Sequence, residues 1–274
     1  MISPAAGDCL RKELVSVRIS RQRILVVCAA LALAAPSRAQ VVSALEPERP
    51  ISMEDAHAIP YRALGISADW TQNWREGRND YGPAFSFLYG AARGLELGAS
   101  VRWVTSPSVN SQRGISSGDL VLHGLYDVHE ETAAWPALAA RVGVEFPTGL
   151  DSRGTDLHLA ALATRTFGTL RLHANFAYTR LGDTTASEKK DRLVAIAGVD
   201  FLTSSLGLTD SLLLADVAVR SNPVRDEETI VTLEAGERLR IGNRTVLFAG
   251  AGSDLTGERE KVHFRLRVGL SFYY

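Results

Sequence analysis

Val262-His263-Phe264-Arg265-Leu266-Arg267-Val268-Gly269-Leu270-Ser271-Phe272-Tyr273-Tyr274 is the stretch whose reading decides the fold. Val262, Phe264, Leu266, Val268, Leu270, Phe272 and Tyr274 occupy every second position, with His263, Arg265, Arg267 and Ser271 between them. Successive side chains of an extended chain point to opposite faces, so this pattern makes one apolar and one polar face. The run is long for a strand of a soluble sandwich. It suits a tilted membrane crossing, which takes about 9 to 11 residues. Alternating apolar residues that end on an aromatic also form the expected recognition signal for the barrel-assembly machinery of the outer membrane. Phe264, Leu266, Val268, Leu270, Phe272 and Tyr274 carry it.

The same alternation recurs upstream. Leu170, Leu172, Ala174, Phe176 and Tyr178 oppose Arg171, His173, Asn175 and Thr179; Leu138, Ala140, Val142, Val144 and Phe146 oppose Arg141 and Glu145. Leu95, Leu97, Ala99, Val101 and Trp103 oppose Glu96, Ser100 and Arg102, while Leu193, Ala195, Ala197, Val199 and Phe201 oppose Arg192 and Asp200. Twelve strands are predicted, near 61–73, 81–90, 94–104, 118–128, 136–147, 156–167, 169–181, 191–203, 211–221, 229–240, 245–253 and 262–274. The stretch Leu212 to Val219 is apolar on both faces and fits least well. Connections such as Gly90 to Gly94, Phe167 to Thr169 and Ile241 to Arg244 are short. Those at 75–80, 105–117, 147–155, 182–190, 222–228 and 254–261 are longer and richer in charge, Ser or Gly. Tight periplasmic turns with larger extracellular loops mark an outer-membrane barrel. An open sheet edge in lipid would leave backbone groups without partners, so the barrel must close. The expected fold is therefore all-β, a closed antiparallel transmembrane β-barrel over residues 61–274, with outer-membrane lipid around it.

Composition agrees with this. The 274 residues carry 30 Lys plus Arg against 31 Asp plus Glu, a net charge of -1. No basic tract suggests a nucleic-acid partner. No apolar run is long enough for a membrane helix. Residues 1–39 read as a secretory signal peptide: Arg21 and Arg23 precede the apolar stretch Ile24 to Ala35, then Ser37 and Ala39 place the cut between Ala39 and Gln40. The long stretch before Arg21 suggests a true start near Leu14, Val15 or Val17. Cleavage leaves 24 basic against 29 acidic residues and removes both Cys9 and Cys28. Residues 40–60 read as a periplasmic lead-in, with a short helix over 52–58 capped by Ser52 and Asp55.

The polar faces turn inward and nominate the lumen: Glu96, Asp119, Asp127, Glu145, Asp200, Asp216 and Glu234 against Arg102, Arg141, Arg171, Arg220, Arg238, Arg265 and Arg267, with His173 and Asn175. This near balance suits either a narrow water-filled path or a web of ion pairs. It favours neutral cargo. Trp70, Trp74, Trp103, Phe146 and Tyr178 are expected at the outer interface, and Tyr273 and Tyr274 at the inner one.

Three motifs add a family. Tyr89-Gly90 within FLYGAARGLELGASV (87–101), Gly118-Asp119-Leu120 within SGDLVLHGLYDV (117–128) and Pro147-Thr148-Gly149 within WPALAARVGVEFPTG (135–149) occur in order, followed by LRLHANFAYTRLGD (170–183). In this order the chain resembles the outer-membrane transporters of the phenol-degradation meta-pathway family. The resemblance spans roughly residues 60 to 274. It implies a β-barrel channel or transporter for small hydrophobic or aromatic molecules, acting without covalent chemistry. It supplies no catalytic residues. On the residues alone, Pro147-Thr148-Gly149 is a strand terminator.

Two other readings compete. A sealed structural barrel would use the same lumen charges for packing. An outer-membrane lipid hydrolase would need a serine beside His173 and Asn175, but these lie on the polar face, away from the lipid boundary, and the chain has no HExxH. No enzyme activity, cofactor or metal is expected. His123, His158 and His263 would share a metal only from neighbouring strands, and no two of them lie on an adjacent pair. A soluble periplasmic sandwich is the remaining alternative.

Overall fold

The computed structural model describes residues 50–76, 78–105, 115–149, 152–203, 211–257 and 261–274. The signal peptide expected over residues 1–39, its expected cleavage point and residues 40–49 of the expected lead-in lie outside them. Twelve strands follow one another: β1 (Leu64–Arg75), β2 (Arg78–Ala92), β3 (Leu95–Thr105), β4 (Ile115–His129), β5 (Ala137–Phe146), β6 (Asp156–Phe167), β7 (Leu170–Arg180), β8 (Asp191–Leu202), β9 (Ser211–Arg220), β10 (Ile230–Ile241), β11 (Thr245–Asp254) and β12 (Val262–Tyr273). Each pairs antiparallel with its sequence neighbours, and β1 pairs with β12 to close the barrel. The seam runs from Gly65 opposite Tyr273 to Arg75 opposite Val262. Leu64 and Tyr274 exchange two backbone hydrogen bonds at its end, of 3.0 and 2.9 Å.

The two faces follow from the alternation. Along β1, Gly65, Ser67, Asp69 and Thr71 are buried inside while Ile66, Ala68 and Trp70 are exposed outside. Outward side chains include Phe85, Phe87, Leu97, Val142, Phe176, Leu213, Leu247 and Val268. Such an apolar belt is stable only against lipid. Rings pair across strands within it: Trp70 stacks on Tyr81 with centroids 5.6 Å apart, Trp74 meets Phe264 at 5.3 Å, and Trp103 meets Phe85 edge-on at 5.4 Å.

The details depart from the sequence reading in a few places. Strand β1 starts at Leu64, because Pro60 to Ala63 form a turn in which Arg62 takes a φ of 66°. The β1–β2 connection is tight, since β2 already begins at Arg78. At the end that carries the barrel's termini, hairpins at Gly168 and Gly242 take positive φ and are short, but 130–136 and 203–210 are longer. Tyr273 is no interface ring: it points inward, 3% exposed, with its ring beside Gly65. Val262 is buried as well, its amide donating to Asp254.

The tight turn at Gly168 and the longer connection 181–190 lie at opposite ends of the barrel. A tag inserted at Ser187 is expected to react with an impermeant reagent on intact cells, and one at Gly168 to stay silent. The opposite labelling would invert the orientation.

Candidate functional site: the barrel lumen and its N-terminal segment

Residues 50–60 form no helix and no lead-in outside the barrel. They run extended along the inner wall, which corrects the sequence reading. The reason lies in their amides. Helix formation would send each N–H to the carbonyl four residues back, whereas here six of them go to side chains of six strands. Ser52 donates to Glu234 of β10 at 2.7 Å, Met53 to Asp216 of β9 at 2.7 Å and Glu54 to Asn175 of β7 at 2.6 Å. Ala56 donates to Thr164 of β6 at 2.9 Å, Ala58 to Asp127 of β4 at 2.8 Å and Ile59 to Glu96 of β3 at 3.1 Å. Asn175 also returns a bond from its amide to the Glu54 carbonyl, 2.7 Å, as a strand partner would.

The wall is cut to receive this segment. A Cβ on Gly198 would overlap the Met53 sulfur, and one on Gly250 or Gly236 would overlap Pro50. A Cβ on Gly90 would overlap the Pro60 carbonyl. Apolar patches finish the fit. Ile51 and Met53 pack with Leu212 and Leu214, and Ala56 and Ala58 with Leu125, Ala137, Ala139 and Leu162. Two side chains of the segment reach charged partners, Glu54 to Arg141 at 2.5 Å and Asp55 to Arg171 at 3.2 Å. Burial opposes a charged His57 ring, but its 2.8 Å bond to Asp55 and the Asp55 and Asp127 charges outweigh this and raise its pKa above the ordinary histidine value.

The remaining lumen charges are largely paired. Arg267 grips Asp69 with two bonds of 2.8 and 2.9 Å, and lies 5.8 Å from the Phe248 ring centroid. Arg265 binds Glu234 at 2.7 Å and Asn73 at 3.0 Å, and Arg220 binds Asp254 at 2.8 Å. Arg171 and His173 both bind Asp200, at 2.7 and 2.9 Å. His158 binds Glu145 at 2.9 Å, and His123 lies 3.5 Å from Glu96. Arg102 lines the cavity above the segment, and Arg238 is buried. His173 also contacts Thr164, through its other ring nitrogen. His123 and His158 flank Gly143 in one cross-strand row, one strand apart. His263 is exposed.

Asp119 has a different task. It accepts from the Gly149 amide at 2.8 Å and the Ser152 hydroxyl at 2.5 Å, while Leu120 donates to the Thr148 hydroxyl at 2.9 Å. Two of the motifs that carry the resemblance therefore form one latch, tying the β5–β6 connection to β4.

Among the described residues, three adjoining cavities descend through the lumen. One of 400 Å³ lies at the loop end, lined by Arg75, Asp156, His158, Arg192, Arg220 and Arg265 among others. A neck of 230 Å³ shares Glu145 and His158 with it. A third, of 300 Å³, shares Ser100, His123 and Arg141 with the neck and ends on Ile51, Met53, Leu88 and Leu125. Sequence reasoning missed Asp69, Thr164 and the whole N-terminal segment. The signal that marks the segment is Leu212 and Leu214, apolar residues on a face that should have been polar.

The chain matches no protein-family model, and no curated protein is similar to it in sequence. Solved structures share its fold. The COG4313 outer membrane channel from Pseudomonas putida F1 is 15% identical with a TM-score of 0.67, covering 82% of this chain and 100% of that one. The KdgM porin is 12% identical with a TM-score of 0.51, covering 75% and 98%. The translocator domain of autotransporter NalP from Neisseria meningitidis is 17% identical with a TM-score of 0.51, covering 78% and 89%. The fold is that of outer-membrane barrels.

Proposed function

We propose that this chain is an outer-membrane channel for small, uncharged, amphipathic molecules, aromatic ones among them, exported by residues 1–39 and inserted by the barrel-assembly machinery. The observation that carries the reading is the chain of three cavities, from the loop end to the N-terminal segment, joined by shared lining residues. Its upper walls are polar but internally neutralised by ion pairs, so they hydrate a solute without selecting an ion. Its floor, made of Ile51, Met53, Leu88 and Leu125, offers an apolar body a dry contact, while Ser86, Ser100 and His123 stand nearby for hydrogen bonds. That combination supports the aromatic or hydrophobic cargo that the resemblance implies. Residues 50–60 narrow the exit.

Liposome swelling tests this with the full chain. Phenol-sized neutral solutes are expected to enter faster than sugar acids of similar size. A folded barrel that admits neither solute would instead be the sealed structural barrel, for which the seated N-terminal segment is the favouring observation.

A further inference from the structure

We infer that the inner wall of the barrel is a binding site for an extended peptide, and that residues 50–60 are its tethered occupant. The wall reads backbone. Six side chains on six strands, Glu96, Asp127, Thr164, Asn175, Asp216 and Glu234, each accept one amide N–H of the segment. The Asn175 side-chain amide binds both the N–H and the carbonyl of Glu54, two bonds that recognise the backbone and not the side chain of that residue. These acceptors are largely buried, Asp216 to 3% exposure. Vacated, the wall would hold several acceptors needing N–H donors at fixed spacing.

Side-chain preference is confined to a few places. Gly198 opens a socket for the Met53 thioether, and the Leu125–Ala139–Leu162 patch packs against the small side chains of Ala56 and Ala58. Gly236, Gly250 and Gly90 make room for a proline at each end. The ligand class is thus a short extended peptide with small or flexible apolar side chains. The only covalent link between the occupant and the wall is the turn of Pro60, Tyr61, Arg62 and Ala63, whose first three residues are exposed. A site that holds its occupant through backbone bonds has no need of that link.

Met53→Pro with Ala58→Pro, in the full chain, removes two donated N–H groups and leaves the barrel wall untouched. Folding is checked by heat-modifiable migration. A fluorescent peptide with the sequence of residues 50–60 is expected to bind this variant saturably, and to bind the unsubstituted chain at least about tenfold more weakly because the tethered segment competes at high effective concentration. The same peptide carrying both prolines should not bind. In a second preparation the unsubstituted chain is folded first and then cut at a protease site inserted between Tyr61 and Arg62, after which the labelled peptide should exchange into the lumen. No binding to either preparation, or equal binding of the proline-bearing peptide, overturns the inference. Bilayer recordings are kept separate because their meaning rests on the channel reading. Peptide binding without any current would sink the channel and leave the peptide site standing.

Discussion

Deleting Phe272, Tyr273 and Tyr274 is expected to abolish the folded barrel, leaving an exported precursor that is degraded in the periplasm. The three residues supply the pairs Ile66 with Phe272 and Gly65 with Tyr273, and the two backbone hydrogen bonds between Leu64 and Tyr274 that end the seam. Phe272 also pairs with Thr245 on the other side. Backbone groups opened to lipid cost several kcal/mol each, so the loss is cooperative. The deletion removes the proposed assembly signal as well. Chain ends are often dispensable, but this one is the closing stitch between the first and last strands. Absence of heat-modifiable migration and of outer-membrane material is the expected result. A truncated chain that keeps both in normal amounts would show that closure survives without this part of the seam.

Arg267→Ala and Val268→Arg are both expected to destabilise, for opposite reasons. Arg267 faces inward and holds Asp69, whose side chain is 3% exposed. Removing the arginine leaves a buried carboxylate without its partner, at a cost of about 3 to 5 kcal/mol. Val268 faces outward, 40% exposed in the apolar belt, where an arginine at mid-membrane costs about 2 to 4 kcal/mol. The two are separated by a second substitution. Asp69→Asn should recover much of the loss caused by Arg267→Ala and none of that caused by Val268→Arg. Urea refolding titrations into lipid vesicles read the difference. Rescue of both, or of neither, would mean that the inward and outward faces of β12 are assigned wrongly.

The strand ladder was legible because a membrane barrel writes its two solvents into alternate residues. Arg267 and Val268 sit side by side in sequence and face ion-pair partner and lipid respectively. The alternating polar face that nominated the lumen residues was legible for the same reason. Their partners were not: nothing in the local sequence says that Arg265 reaches Glu234 on β10, 31 residues away, or that Arg171 shares Asp200 with His173. The N-terminal segment was misread altogether. PISMEDAHAIP has no strand alternation and a fair helix cap, and local rules know nothing of six acceptors waiting on other strands. Its trace in the sequence lies elsewhere. Leu212 and Leu214 break the polar-inward rule on β9, and Gly198, Gly236 and Gly250 leave space on the inner wall that only a second chain segment explains. The motifs at Gly118-Asp119-Leu120 and Pro147-Thr148-Gly149 were read as separate strand punctuation, yet Asp119 and Thr148 bind across the same latch.

Hydrogen exchange on the refolded full chain tests most directly whether the N-terminal segment is seated on the inner wall of the lumen. The amides of Ser52, Met53, Glu54, Ala56, Ala58 and Ile59 each have a wall acceptor. They are expected to exchange orders of magnitude more slowly than in the free peptide, and the four that remain in Met53→Pro with Ala58→Pro, those of Ser52, Glu54, Ala56 and Ile59, to lose that protection together. Exchange of these amides at free-peptide rates in the unsubstituted chain, while β1 and β12 stay protected, would contradict the account.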